Sequence, residues 1–220
     1  MTTDWSLVRT ASDKDAFERL IACYWTPIFA YIRAKGHDEH EAADITQEFI
    51  ASVMIGRDLV LRADQERGSF RSFLLSSLKR FIIDQRRKSV RHHRSVVALD
   101  LTSIPNDDHS RDPDVAFQRE WSRRVMNEAL VRTRRECYNA DQETHWRAFE
   151  LRVLAQLRGG PAMSNEEVAS QIGIEPEVVS PRVQTVKRKL KAMTRQIVLE
   201  TISDPEMLDN EHADIVGGWL

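Results

Sequence analysis

Between Phe17 and Ile32 the apolar residues Phe17, Leu20, Ile21, Tyr24, Trp25, Ile28 and Ile32 recur every three or four positions. That is the period of a helix with one buried face. No stretch of the chain alternates β-branched and polar residues between turn signals, and its 8 glycines are few for 220 residues. An all-α fold is the expectation. The first helix is predicted from about Lys14 to Lys35, kinked where Pro27 removes the bond to the Cys23 carbonyl and ended by Gly36.

The same rhythm continues downstream. A second helix starts at Asp38, where Asp38 and Glu41 have the spacing of a capping box. Its predicted buried face is Ala42, Ile45, Phe49 and Val53, which turns Glu41, Asp44, Gln47 and Glu48 outward. A third helix follows Ser69, its predicted N-cap, with a stripe at Phe70, Phe73, Leu74, Leu78, Phe81 and Ile82. From Ser89 to Asp114 the periodicity stops, and Pro105, Asn106 and Pro113 interrupt the chain. This reads as a linker (91–114) between two small helical domains, 5–90 and 115–200, with an acidic extension (201–220) at the end. In the second domain Trp121, Val125, Met126, Ala129 and Leu130 mark one helix. Trp146, Phe149, Val153 and Leu157 mark the next, stopped by Gly159, Gly160 and Pro161.

The net charge of −2 hides strong segregation. Residues 79–94 hold seven Lys or Arg against Asp84 alone, and residues 182–195 hold six with no acid. Residues 38–48 hold five acids and no Lys or Arg, and from 196 onward there are six acids and no Lys or Arg. Two cationic patches suit a polyanion, and an acidic helix suits a cationic or amide-rich partner. The six acids of the tail could shield the basic segment 182–195 or contact a regulator. Thr46, inside the acidic helix, would add charge there if phosphorylated.

With 41% hydrophobic and 30% charged residues the composition is that of a soluble globular protein. No apolar run approaches the roughly 20 residues of a membrane span. The start, "MTTDWSLVRTASDKD", has no signal-peptide core, so a cytoplasmic protein is expected. Cys23 and Cys137 match no metal or redox spacing. They read as free, mostly buried thiols, and no cofactor or metal is expected.

The sharpest local pattern is "MSNEEVASQIGIEPEVVSPRVQTVKRKLKAM". Ser164 and Glu167 form a capping box; Val168, Ala169 and Ile172 face inward, and Gly173 supplies a tight turn. Ile174 packs after the turn, and Val179, Val183 and Val186 carry the stripe on a basic second helix. These are the parts of a helix-turn-helix. Ser180, Gln184, Thr185 and Arg188 would face a DNA groove, with Lys187, Lys189 and Lys191 at phosphates. Pro181 leaves two arrangements open: a helix from Pro176 with Pro181 inside it, or a helix beginning at Pro181 and capped by Ser180.

Taken together, "YWTPIFAYIRAKGHDEHEAADITQEFIASVM", "RGSFRSFLLSSLKRFIIDQRRK" and the helix-turn-helix segment resemble, in order, three motifs of one family. It is the extracytoplasmic-function group of bacterial RNA polymerase sigma factors, the two-domain members of the sigma-70 class. The resemblance spans roughly residues 5–200, and the tail is similar to an extension in one branch of the group. It implies a protein that is not an enzyme: it would bind core RNA polymerase, direct it to promoters and help melt the DNA. It further implies that Glu41, Asp44, Gln47, Glu48 and Phe49 grip the clamp helices of the polymerase's largest subunit. Lys79, Arg80, Arg86, Arg87 and Lys88 would meet the minus-ten element, with Asp84 orienting an arginine. Ser180, Arg182, Gln184, Thr185, Lys187 and Arg188 would read the minus-thirty-five element. An anti-sigma factor is a possible further partner. The chain departs from the pattern at Arg80, where many members carry Asn, and at Pro181 and Thr185.

Two other readings use fewer of these features. A DNA-binding regulator acting without polymerase leaves the acidic helix and the 66–88 stretch unexplained. A metal-dependent phosphohydrolase would use Asp38, Glu39, Glu41 and Asp44, but no His–Asp pair at ligand spacing accompanies them, and His37 and His40 flank a cap. His92 and His93 lie in a basic stretch where solvent or phosphate suits them better than a metal.

Overall fold

The computed structural model describes residues 14–55, 70–94 and 112–201. Ser69 and the acidic segment beyond Thr201 lie outside the described residues. The described residues form seven helices and no strand, so the fold is all-α. They divide into two compact units, one comprising the residues up to Arg124 together with residues 199–201 and the other Val125–Val198.

In the first unit α1 (Lys14–Ala34) runs without a break through Pro27. Gly36, at φ 94°, ends it with a turn that a side chain would strain. Asp38 then caps α2 (Glu39–Phe49): its carboxylate accepts from the Glu41 N–H at 2.8 Å. The Glu41 carboxylate turns to His37, 3.4 Å away. The chain continues past Phe49 as a wider π-turn, Ile50–Ile55, which buries Ile50, Val53 and Met54. The third helix, α3, covers Phe70–Arg94. It therefore carries helical backbone through residues 89–94, which the sequence pattern left to a linker. The pattern fails there because a polar, basic segment has no apolar stripe to reveal its period.

Leu20, Tyr24, Ile28, Tyr31 and Ile32 of α1 are buried with Ala42, Phe49 and Ile50 of the second helix and Phe70, Leu74, Leu78, Phe81 and Ile82 of α3. The Tyr24 and Phe70 rings meet edge-on at 5.4 Å, as do Phe49 and Phe81 at 5.4 Å. Such pairs add about 0.5–1.5 kcal/mol beyond their burial. Phe117 and Trp121, from the first half of α4 (Pro113–Asn139), are fully buried and belong to this unit. Arg71 lies almost wholly buried with its guanidinium 4.0 Å from the centre of the Trp121 ring.

In the second unit Val125, Met126, Ala129 and Cys137 of α4 are buried. Asp141, at φ 55°, turns the chain into α5, which starts at Glu143. That helix passes through a π-turn at Glu150–Leu154 and ends at Leu157. Gly159, at φ 85°, reverses the chain as its sequence position predicts. Next, α6 (Asn165–Ile172) starts at a complete capping box: Ser164 accepts from the Glu167 N–H, and Glu167 accepts from the Ser164 N–H. Gly173, at φ 70°, ends it. A single 3-10 turn, Pro176–Val178, leads into α7 (Val179–Thr201), whose stripe Val179, Val183, Val186, Leu190, Thr194, Ile197 and Val198 is buried.

Candidate nucleic-acid and protein interfaces

The acidic surface is a product of helical period. Glu41, Asp44, Gln47 and Glu48 are all exposed, while Ala42, Thr46 and Phe49 are buried. Positions 41, 44 and 48 recur at i, i+3 and i+7, so three carboxylates share one face. Phe49 does not join them. Its ring is fully buried against Phe81, so it shapes the helix from within rather than meeting a partner. Thr46 is likewise fully buried, with its hydroxyl donating to the Ala42 carbonyl at 2.7 Å. That removes it as a phosphorylation site in the folded protein. Ile45 is only partly covered, so the buried face is rotated toward Thr46 and Ile50 from the predicted one.

On α3 the apolar stripe fixes the cations on the opposite side. Arg80, Arg86 and Arg87 are exposed together with Asp84 and Ile83, the last 50% exposed despite its size. Asp84 lies 3.8 Å from Arg87 one turn on, with both side chains largely exposed. The side chain of Lys88 lies outside the described residues, as do those of His92 and His93. Lys79 differs from its neighbours. Its ammonium donates to the Asp114 carboxylate at 2.5 Å, and both side chains are about half exposed.

Asp114 sits in the first turn of α4, which begins with Pro113 at the position where a missing N–H costs nothing. The Asp112 carboxylate accepts from the Asp114 N–H at 2.9 Å, and the Asp112 carbonyl accepts from the Ala116 N–H at 2.9 Å. This Asp–Pro–Asp turn is therefore a capped helix start rather than the end of a loop. It lies beside Tyr31, whose hydroxyl pKa is pushed up to about 12, first by burial and then by Asp114 and Asp112, with Arg86 opposing.

In the second unit Ser180, Gln184 and Arg188 are exposed on α7, and Arg182, Thr185 and Lys187 are partly so. Pro181 falls between the two predicted arrangements. The α-helix starts at Val179, so Pro181 lies in its first turn, where the loss of an N–H is tolerated. Ser180 does not cap the helix; its hydroxyl accepts from the Asn165 amide at 3.0 Å. Thr185 donates to the Pro181 carbonyl at 3.0 Å and accepts from Arg188 at 3.3 Å, which holds both side chains against the helix. Lys189 pairs with Glu136 on α4 at 2.7 Å. His145, on α5, is held below the usual imidazole range by partial burial, then by the charges of Arg182 and Lys189.

Cys137 is buried, and burial pushes its thiol pKa up, as expected of an unreactive core cysteine. Cys23 is half-buried and accepts from the Arg124 guanidinium. Among the described residues no three His, Cys, Asp or Glu side chains converge to hold a metal, and no helix is long and apolar enough to cross a membrane.

Asp112, Asp114, Arg71 and His145 are the residues of interest that the sequence pattern did not single out. An Asp followed by Pro and a second Asp is an N-terminus signature and could have flagged the start of α4. Nothing local flags Arg71 or His145, whose partners are distant in the chain. Comparison with known proteins bears on the first unit. Residues 20–92, which include most of α1, all of α2 and nearly all of α3, match the family model for sigma-70 region 2. No curated protein and no solved structure matches the chain.

Proposed function

We propose that this chain, whose residues 20–92 match sigma-70 region 2, is a sigma-70 family member that uses that region as an extracytoplasmic-function sigma factor does. A sigma-70 region 2 serves RNA polymerase binding and promoter recognition. In this reading Glu41, Asp44, Gln47 and Glu48 form the face that docks on the clamp helices of the largest polymerase subunit. Lys79, Arg80, Arg86, Arg87 and Lys88 track the minus-ten element and its displaced strand. The pair α6 and α7 acts as a helix-turn-helix reading the minus-thirty-five element through Ser180, Arg182, Gln184, Thr185, Lys187 and Arg188. The protein performs no chemistry of its own; the polymerase active site supplies it.

The observation that carries the reading is the pairing, on one compact unit, of an acidic face with a cationic one. Each is exposed because the opposite side of its helix is buried. Fixed cations supply affinity through phosphate contacts and counterion release, and exposed groups among them can meet extruded bases. Thr185 and Arg188, tied to each other and to the Pro181 carbonyl, form a pre-positioned pair on the proposed reading helix.

Run-off transcription with core polymerase on genomic fragments tests the whole. Charge reversal at both Asp44 and Glu48 should abolish core binding in a pull-down and factor-dependent transcripts, with thermal stability within a degree or two of wild type, since both residues are exposed. Core binding that survives the double reversal would point instead to a DNA-binding regulator that works without polymerase.

A further inference from the structure

We propose that the first turn of α4 is a built-in competitor for the promoter: Asp114 occupies Lys79 in the free protein and is displaced by DNA phosphate. This inference rests on the reading of α3 as the minus-ten helix.

The competitor is built rather than incidental. Asp112 caps the helix, Pro113 fixes its first residue, and the N–H of Asp114 is tied to the Asp112 carboxylate at 2.9 Å. The backbone that presents Asp114 is thereby fixed before the contact forms. Seven residues on, two helical turns along the same face, Trp121 is fully buried with Arg71 of α3 against its ring at 4.0 Å. Asp114 and Trp121 thus engage α3 side chains from one face of α4. The target is selective. Lys79 meets a carboxylate 35 residues downstream, whereas the acid beside Arg87 belongs to α3 itself. Tyr31, whose hydroxyl pKa is raised first by burial, also feels the charges of Asp114 and Asp112 and, opposing them, of Arg86.

A carboxylate on an ammonium imitates a phosphate oxygen in charge and geometry, though with one negative charge in place of a polyanion's many. The pair is half exposed, so it adds little to stability and is easily exchanged. Isolated anions and short non-target DNA must compete with Asp114 for Lys79. An extended strand, which engages the neighbouring cations at the same time, outcompetes it. The turn therefore raises the threshold for binding at α3 without changing which sequence is preferred.

The test uses the full chain and a fluorescent single-stranded oligonucleotide, titrated over a range of salt. Asp114→Asn should bind about threefold or more tightly than wild type, with a salt slope steeper by about 0.7, one regained phosphate contact. In a Lys79→Ala background the same substitution should change nothing. An affinity unchanged by Asp114→Asn overturns the proposal. So does an equal gain in the Lys79→Ala background, because it would mean that Asp114 acts only through net charge. Arg87→Ala tests the underlying reading separately. If it weakens binding while Asp114→Asn is silent, α3 binds DNA and the competitor alone is wrong. If no variant, wild type included, binds at low salt, both readings fall.

Discussion

At the residue scale, Thr46 and His145 show how burial decides what a polar side chain can do. Thr46 has the composition of a regulatory site and the position of a core residue: its hydroxyl satisfies the Ala42 carbonyl in a fully buried setting. A phosphate there would bury charge at a cost the fold could not meet. His145 is half-buried beside Arg182 and Lys189, and its imidazole is held below its ordinary value of 6.5. The native state therefore takes up its proton at lower pH than the unfolded chain, which does so as pH falls through 6.5. Stability that is present above that value is lost below it. His145→Gln should flatten the fall in urea midpoint between pH 7.5 and pH 5 relative to wild type. Parallel curves for the two proteins would show that neither burial nor the charges of Arg182 and Lys189 shift this imidazole.

At the scale of elements, the helices that carry a stripe were legible and their exceptions follow from physics. The core of α3 matches the apolar period except at Phe73, which is only partly covered; in α1 Leu20, Tyr24, Ile28 and Ile32 match, whereas Phe17, Ile21 and Trp25 are only partly covered and Tyr31 is buried outside the predicted stripe. Where they match, it is because burial on one side of a helix leaves that imprint. The acidic face of α2 was legible for the same reason, and Phe49 was misplaced because a motif records proximity in sequence, not the direction of a ring. The end of α3, the start of α4 and the position of Pro181 were not legible. They depend on caps and first-turn geometry, which leave no period. The Lys79–Asp114 and Arg71–Trp121 contacts cross a patternless segment, so no local rule links their members. Glycines mark where turn geometry is strict. At Gly173, φ is 70° and an added Cβ would meet nothing within 4 Å, so Gly173→Ala should cost only backbone strain, about 1 kcal/mol. At Gly160 the Cβ would lie 2.8 Å from the Ala155 carbonyl oxygen, and the backbone must shift. Urea unfolding should therefore rank Gly160→Ala as the more destabilising of the two, and the reverse order would refute the steric argument.

At the scale of the whole molecule, the boundary between compact units falls inside α4, after Arg124. Trp121 and Phe117 are fully buried in the first unit. A fragment cut at residue 94 would keep every residue of the region 2 match yet lose both. Loss of two such aromatic side chains from a core costs on the order of several kcal/mol. The fragment 1–124 should accordingly unfold at clearly higher urea than the fragment 1–94, and equal midpoints would show that the α4 residues are accessory. The guanidinium of Arg71 over the Trp121 ring has a practical consequence of its own. An indole pressed against a cation in a dry setting emits differently from one in water. Because Trp121 lies on the same face of α4 as Asp114, its emission is a native optical gauge of whether the start of that helix stays seated on α3. Four other tryptophans emit as well, so its signal is read, without a dye, as the difference between wild type and Trp121→Phe while oligonucleotide is added.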